Sequence, residues 1–247
     1  MAERRSEIFL QAALNGDRVH PAAPRTPQAI AEQARVAVAA GAGSVHIHAF
    51  DAEGRETLDA EECARALRAV RAACPGIPIS MTTSAAIDAD PESRLRRIGE
   101  WSELPDLVSA NQGEEGILAV CQLLLGRGVG IEAGLLAERD ARLFVASGLA
   151  PRCRRVLIEP LSLDPGEAVG LAEAMESVVT GAGIALEQVH HGEGIASWAV
   201  NRRAVLRGHG IRTGLEDTPV LPDGTVARDN GDLVAAAAAI IAAVSTA

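Results

Sequence analysis

Residues 107–147, LVSANQGEEGILAVCQLLLGRGVGIEAGLLAERDARLFVAS, hold the repeat from which the whole chain can be read. Leu107–Asn111 is a short apolar run of strand length. Glu115–Leu125 carries apolar residues at helical spacing and stops at Gly126-Arg127-Gly128. Val129–Ala133 is apolar again around one carboxylate, Glu132, and Ala137–Ser147 returns to the helical pattern. Strands alternating with helices across short connections build a parallel sheet, because a crossover helix returns the chain to start the next parallel strand.

The same beat runs in both directions. Upstream, Ile8–Leu14, Val45–Phe50 and Ile77–Thr82 read as strands. Helices start at Thr26-Pro27, at Asp59 or Ala60, and at Asp90-Pro91, and run to about Ala40, Ala73 and Trp101. A capping side chain before a proline marks such starts, and Gly41 and Pro75-Gly76 mark stops. Downstream, Arg155–Glu159, Ile184–His190 and Ile211–Glu216 read as strands. Their helices span Asp164-Pro165 to Val179, Ala196–Arg207, and a final Ala-rich stretch capped by Asn230 and reaching the C-terminus. Eight strand–helix pairs in 247 residues, without a linker, predict one closed (β/α)8 TIM barrel over residues 1–247. An open doubly wound sheet is the alternative, yet no GxGxxG follows the first strand.

Composition narrows the partners. Hydrophobic residues make up 48% and aromatic residues 2%, with no Tyr, so the core is built from Ala, Val, Leu and Ile. Few rings remain on which bases could stack, and a net charge of -10 repels polyanions, so no nucleic acid partner is expected. Cys63, Cys74, Cys121 and Cys153 form no CxxC pair and read as free thiols of a reducing compartment. MAERRSEIFLQAAL has no signal-peptide core, and the longest apolar run, Leu233 to Val244, is too short to cross a bilayer. A soluble, cytoplasmic protein without membrane attachment is expected.

In this fold the active site lies at the C-terminal ends of the strands. There the strands deliver Asn15 and Asp17; His46, His48 and Asp51; Thr82, Thr83 and Ser84; Ser109 and Asn111; Glu132; Glu159; Glu187, His190 and His191; and Arg212, Glu216 and Asp217. Buried polar groups cost free energy unless paired, so a purely structural barrel has no need of such a rim. The convergence points to an enzyme.

In SVHIHAFD (44–51), His46 and His48 sit two apart and would leave a strand on the same face. Two such histidines plus a distant carboxylate form a common catalytic zinc set with one position open. Glu216, in RTGLED (212–217), is the candidate carboxylate, and on a continuous strand it would share a face with Arg212. Asp217 lies just past that strand. Together these groups could polarise a carbonyl, hold a carboxylate and stabilise an enolate. Glu132 reads either as a buried partner for an Arg or as a supporting group or base, and Glu159 as a structural carboxylate at the barrel mouth. Of the neighbours His190 and His191, only one can face inward. Thr82-Thr83-Ser84 offers hydroxyls and N–H groups to a carboxylate or phosphate; Asn15, Ser109 and Asn111 stand at the same rim.

AAGAG followed by SVHIHAFDAEG, LVSANQG, LEQVHHGEG and IRTGLEDTPVLPDGTVARDNGDLV resemble the β-keto acid cleavage enzymes, the family of the 3-keto-5-aminohexanoate cleavage proteins. The resemblance covers nearly the whole chain in order, ALNGDR and TPQAIAEQA included. It implies a zinc-dependent (β/α)8 barrel that takes a β-keto acid, with acetyl-CoA as co-substrate, to acetoacetate and a new acyl-CoA. By motif position, His46, His48 and Glu216 would hold one zinc ion, and Asp217 with Arg212 would act as the base that activates acetyl-CoA. Thr82, Thr83, Ser84 and Asn111 would bind the keto acid, and Glu132 would support the catalytic groups. The implied course is polarisation of the β-ketone, addition of the acetyl-CoA carbanion and a retro-Claisen split. Phe50 stands where many members carry Arg in HxHxRD. A metal-dependent aldolase-like or hydrolytic C–C lyase that does without CoA is the alternative, and a non-catalytic scaffold a further one. Barrels of this kind commonly form symmetric homo-oligomers.

Overall fold

A computed structural model describes residues 8–245, without the side chain of Ser245. The first seven residues of the stretch read for a signal peptide, and the last two of the final helix as expected, lie outside the described residues. The elements are β1 (Leu10–Ala13), α1 (Pro27–Ala39), β2 (Ser44–Ile47), β3 (Ala49–Phe50), β4 (Glu56–Thr57) and α2 (Ala60–Ala73). Then come β5 (Ile79–Thr82), α3 (Pro91–Gly99), β6 (Leu107–Asn111), α4 (Ile117–Gly126), β7 (Gly130–Leu135) and α5 (Glu138–Ser147). The last third adds β8 (Arg155–Ile158), α6 (Pro165–Gly181), β9 (Glu187–His190), α7 (Ser197–Leu206), β10 (Gly210–Thr213) and α8 (Asn230–Ser245). Strands β1, β2, β5, β6, β7, β8, β9 and β10 pair in parallel in that order and close where β10 meets β1. This is the (β/α)8 barrel that the alternation predicts.

Capping chemistry places the helices. Thr26 Oγ1 accepts the Ala29 N–H at 3.2 Å, Asp59 and Asp90 each accept two first-turn N–H groups, and Asp164 accepts that of Glu167. The core between strands and helices is mostly Ala, Val, Leu and Ile, joined by Trp101 and Phe144. All four cysteines are free and buried, and burial pushes the Cys63 thiol up to about 12. Among the described residues no helix is long and apolar enough to cross a membrane.

Three boundaries differ from expectation, and each shapes the site. The second strand does not run through to Phe50. The Asn15 amide accepts the His48 N–H (2.8 Å) and donates to the His48 carbonyl (3.0 Å), taking the backbone pairing of that residue; the chain then turns into an antiparallel hairpin of β3 and β4. The last barrel strand ends at Thr213, not Glu216. Gly214 packs so closely on β1 that a Cβ there would stand 1.9 Å from the Ala13 carbonyl oxygen. A helical turn follows, with the N–H groups of Asp217 and Thr218 donating to the Gly214 carbonyl. Asn230 is no cap: its side chain accepts the Leu215 N–H and donates to the Leu14 carbonyl, both at 2.9 Å, while Asp229 accepts the N–H of Asp232.

Candidate active site

His46 leaves the end of β2 and His48 the residue after it, so both rings enter the mouth of the barrel. The turn after β10 brings Glu216 to them: His46 Nε2 lies 3.6 Å from Glu216 Oε2, and His48 Nε2 lies 3.5 Å from Oε1. Their other nitrogens are already engaged. Ser80 Oγ on β5 donates its only proton to the Glu132 carboxylate, so it must accept from His46 Nδ1 at 3.0 Å. Glu56 on β4 accepts a hydrogen bond from His48 Nδ1. Both Nε2 atoms therefore face one carboxylate, and the buried Glu216 Oε2 has no hydrogen-bond partner. Acceptors gathered around a common point fit a cation, and these three residues can hold a metal ion.

The electrostatics agree. Burial, aided by Arg212 and His48, pushes His46 down to about 3. Burial also opposes charge on His48, but the Glu216 and Glu56 carboxylates outweigh it and lift that ring to about 10. Without a metal, a proton on His48 supplies the positive charge that the carboxylates demand; a bound ion would displace it.

Arg212 and Glu216 do meet, though through the turn and not along a strand. Arg212 Nη2 donates to Glu216 Oε1 at 2.8 Å and to Asp217 Oδ1 at 2.7 Å. Burial disfavours the charge on Arg212, yet Asp217, Glu216 and Glu159 hold the guanidinium firmly protonated. Burial likewise opposes charge on Asp217, and Arg212 and His191 keep its carboxyl below the usual range. Arg18, just past β1, clasps the turn from outside, with Nε on the Glu216 carbonyl at 2.8 Å and Nη2 paired to Glu193.

Glu132 lies fully buried inside the barrel, accepting from Gln11 Nε2 (3.0 Å) and from Ser80, with Arg155 Nε at 3.6 Å. It is thus both the partner of a buried Arg and, through Ser80, a support for His46. Among the rim residues, Thr83 Oγ1 donates to the Ser109 carbonyl at 2.7 Å, and Thr82 Oγ1 accepts the Ser84 N–H. Glu114 gathers Asn111 Nδ2 and the Ala85 N–H, both at 3.0 Å, and the Ser84 hydroxyl at 3.4 Å, shaping the loop after β5. Asn15 is buried, its amide committed to the backbone of Pro24 and His48. The two adjacent histidines divide as strand alternation demands. His191 reaches Asp217, whereas His190 turns outward to stack on His209, with Glu176 beyond.

Ser80, Glu56, Arg18 and Gln11 escape a reading of strand ends. Ser80 was findable: it lies two residues before Thr82 in a barrel strand, on the same inward face. Glu56 was not, because its position depends on a hairpin created by Asn15.

The sequence profile of the beta-keto acid cleavage enzyme family matches residues 7–145 and 165–247. A 3-keto-5-aminohexanoate cleavage enzyme of Fusobacterium nucleatum is 27% identical over 92% of this chain and 89% of its own. One from Acetoanaerobium sticklandii is 23% identical over the same shares. Of solved structures, a ternary complex of ObcA with a C4-CoA adduct and oxalate superposes with a TM-score of 0.72 at 17% identity, over 91% of this chain and 64% of that one. The chain spans 62% of the length of apo ObcA. A type I 3-dehydroquinate dehydratase from Clostridium difficile matches with a TM-score of 0.65 at 11% identity, over 98% of this chain and 93% of its own. These last likenesses are of fold.

Proposed function

The chain belongs to the beta-keto acid cleavage enzyme family, and from that premise we propose that it cleaves a β-keto acid with acetyl-CoA, giving acetoacetate and a new acyl-CoA, at a zinc-dependent site. The observation that carries the metal is the convergence of His46 Nε2, His48 Nε2 and Glu216 on one point while both Nδ1 atoms are engaged elsewhere. A zinc ion held there would act as a Lewis acid toward a carbonyl oxygen. The same reading treats residues 1–247 as one catalytic unit. It also takes the protein as cytoplasmic and, like many barrels of this kind, homo-oligomeric.

Atom balance sets the order of steps. A carbanion of acetyl-CoA adding to the ketone, as the resemblance first suggests, would release acetate and leave the acetyl carbons in the CoA product. Acetoacetate requires C2 of the keto acid as nucleophile. Asp217 takes a proton from C2, and the electron pair left there attacks the thioester carbonyl of acetyl-CoA, expelling the CoA thiolate. The thiolate adds to the β-ketone carbon, the C2–C3 bond breaks, and its electron pair recovers the proton from Asp217. Arg212 keeps Asp217 anionic between turnovers. Glu132 steadies His46 through Ser80, and Asn15 holds the His48 backbone. Thr82, Thr83, Ser84, Ser109 and Asn111 offer the keto acid hydroxyls and amides at the rim.

Elemental analysis of protein purified without added metal should find about one zinc per chain, lost in His46→Ala/His48→Ala. A panel of β-keto acids should yield acetoacetate only when acetyl-CoA is present. Cleavage without acetyl-CoA would transfer the assignment to a CoA-free lyase. Protein that neither contains zinc nor responds to it would sink the metal site.

A further inference from the structure

The mouth of the barrel holds a second linked trio, Glu159, His191 and Asp217, of which the proposed chemistry uses Asp217 alone. His191 is fully buried, its backbone N–H donating to the Ile158 carbonyl and the following Gly192 N–H to Ser197 Oγ. Its Nδ1 lies 3.2 Å from Asp217 Oδ1, and its Nε2 lies 3.6 Å from Glu159 Oε2 without a hydrogen-bond partner. An ionised Asp217 can only accept, so Nδ1 carries a proton. The two oxygens of Asp217 are thereby made unequal. Oδ1 receives Arg212 Nη2 at 2.7 Å, Arg212 Nε at 3.2 Å and His191 Nδ1, while Oδ2 has only Arg212 Nε at 3.3 Å.

We infer that His191 is the positioning residue of the base: with Arg212 it fills Oδ1 of Asp217, leaving Oδ2 to take the substrate proton, and Glu159 holds the ring in the required state. Glu159 Oε2 and His191 Nε2 face each other as acceptors unless one proton lies between them. Burial pushes the Glu159 carboxyl up despite His191 and Arg212, which favours that shared proton. With Nε2 so engaged, the imidazole cannot turn over and present a lone pair to Asp217. The proton taken from C2 then stays on Oδ2, facing the carbon to which it must return. A second metal ion in this trio would have to enter beside the Arg212 guanidinium, which already occupies Asp217.

This inference rests on the proposed cleavage reaction, so one readout is taken without substrate. In protein with 15N-labelled histidine, the His191 ring, assigned by its loss in His191→Asn, should carry a proton on Nδ1; a ring protonated on Nε2 alone overturns the inference. With substrate, His191→Ala should lower kcat about 100-fold with KM within a few-fold, because misplacing a base penalises the chemical step. Exchange of the keto acid C2 hydrogens with D2O should slow in parallel. His191→Asn, whose amide N–H can still reach Asp217, should recover most of the loss. Should the buried His191 variants fail to fold, the partly exposed Glu159 serves: Glu159→Gln, which can still donate to Nε2, should stay near wild type, and Glu159→Leu should fall about tenfold. Equal kcat in wild type and His191→Ala, no rescue by Asn, or equal activity of the two Glu159 variants would each refute it. So would two metal ions per chain falling to one in His191→Ala. A wild type without keto acid cleavage would refute the proposed function instead, and the ring's protonation would still be readable.

Discussion

At the scale of the residue, the site is defined less by its candidate ligands than by what holds them. His48 donates Nδ1–H to Glu56, and His46 donates to Ser80, so each ring is locked with Nε2 toward Glu216. Outer contacts of this kind typically carry 10–100-fold in metal affinity. Glu56→Ala should therefore weaken zinc binding by about that factor in a chelator competition, while a surface control such as Glu138→Ala leaves it unchanged. Unaltered affinity in Glu56→Ala would mean that the hairpin carboxylate does not set the orientation of His48.

Among the elements, α6 and α7 are tied by one carboxylate. Glu176 on α6 meets Arg203 on α7 at 2.7 Å, Arg207 just beyond it at 2.6 Å and His209 Nε2 at 3.1 Å. Burial would raise its carboxyl, but Arg207, His209 and Arg203 hold it at about 2 against an ordinary 4.5. A depressed carboxyl stabilises the fold above its ordinary value, and the contribution fades as pH falls from about 4.5 through about 2. Glu176→Gln should cost about 2 kcal/mol at neutral pH, since it leaves the largely buried Arg203 unpaired while the half-exposed Arg207 turns to water. In urea titrations the wild type should lose more stability than Glu176→Gln between pH 5 and 3; parallel losses would show that the pair adds nothing to acid sensitivity.

For the whole molecule, every barrel strand is hydrogen-bonded to two neighbours, so parting the chain into halves must break two strand pairings. Trp101 and Trp198 report on opposite parts of the ring, one bonded to the Leu58 carbonyl and the other to that of Val220. Single-Trp variants, Trp101→Phe and Trp198→Phe, should each show one urea transition coincident with the loss of helical circular dichroism. A transition at one indole well before the other would mean that the barrel contains separately stable parts.

Local chemistry settled much of this in advance. Caps such as Thr26, Asp59, Asp90 and Asp164 act within one turn, and strand–helix alternation is a pattern of neighbours, so the barrel and the facing of His46 and His48 were legible from the chain alone. The legible part ended where one residue is placed by another far away. Asn15 ends the second strand by taking the backbone of a residue 33 positions on. Gly214 ends the last strand because the Ala13 backbone occupies its Cβ space. Asn230, a cap by local rules, bonds Leu14 across 216 positions. The meeting of Glu216 with His46 and His48, the support from Ser80, and the meeting of His191 with Asp217 all join strands far apart in sequence. Local propensity acts over a few residues, whereas a site at the mouth of a barrel is assembled by contacts between strands far apart in sequence, and only the tertiary structure decides those.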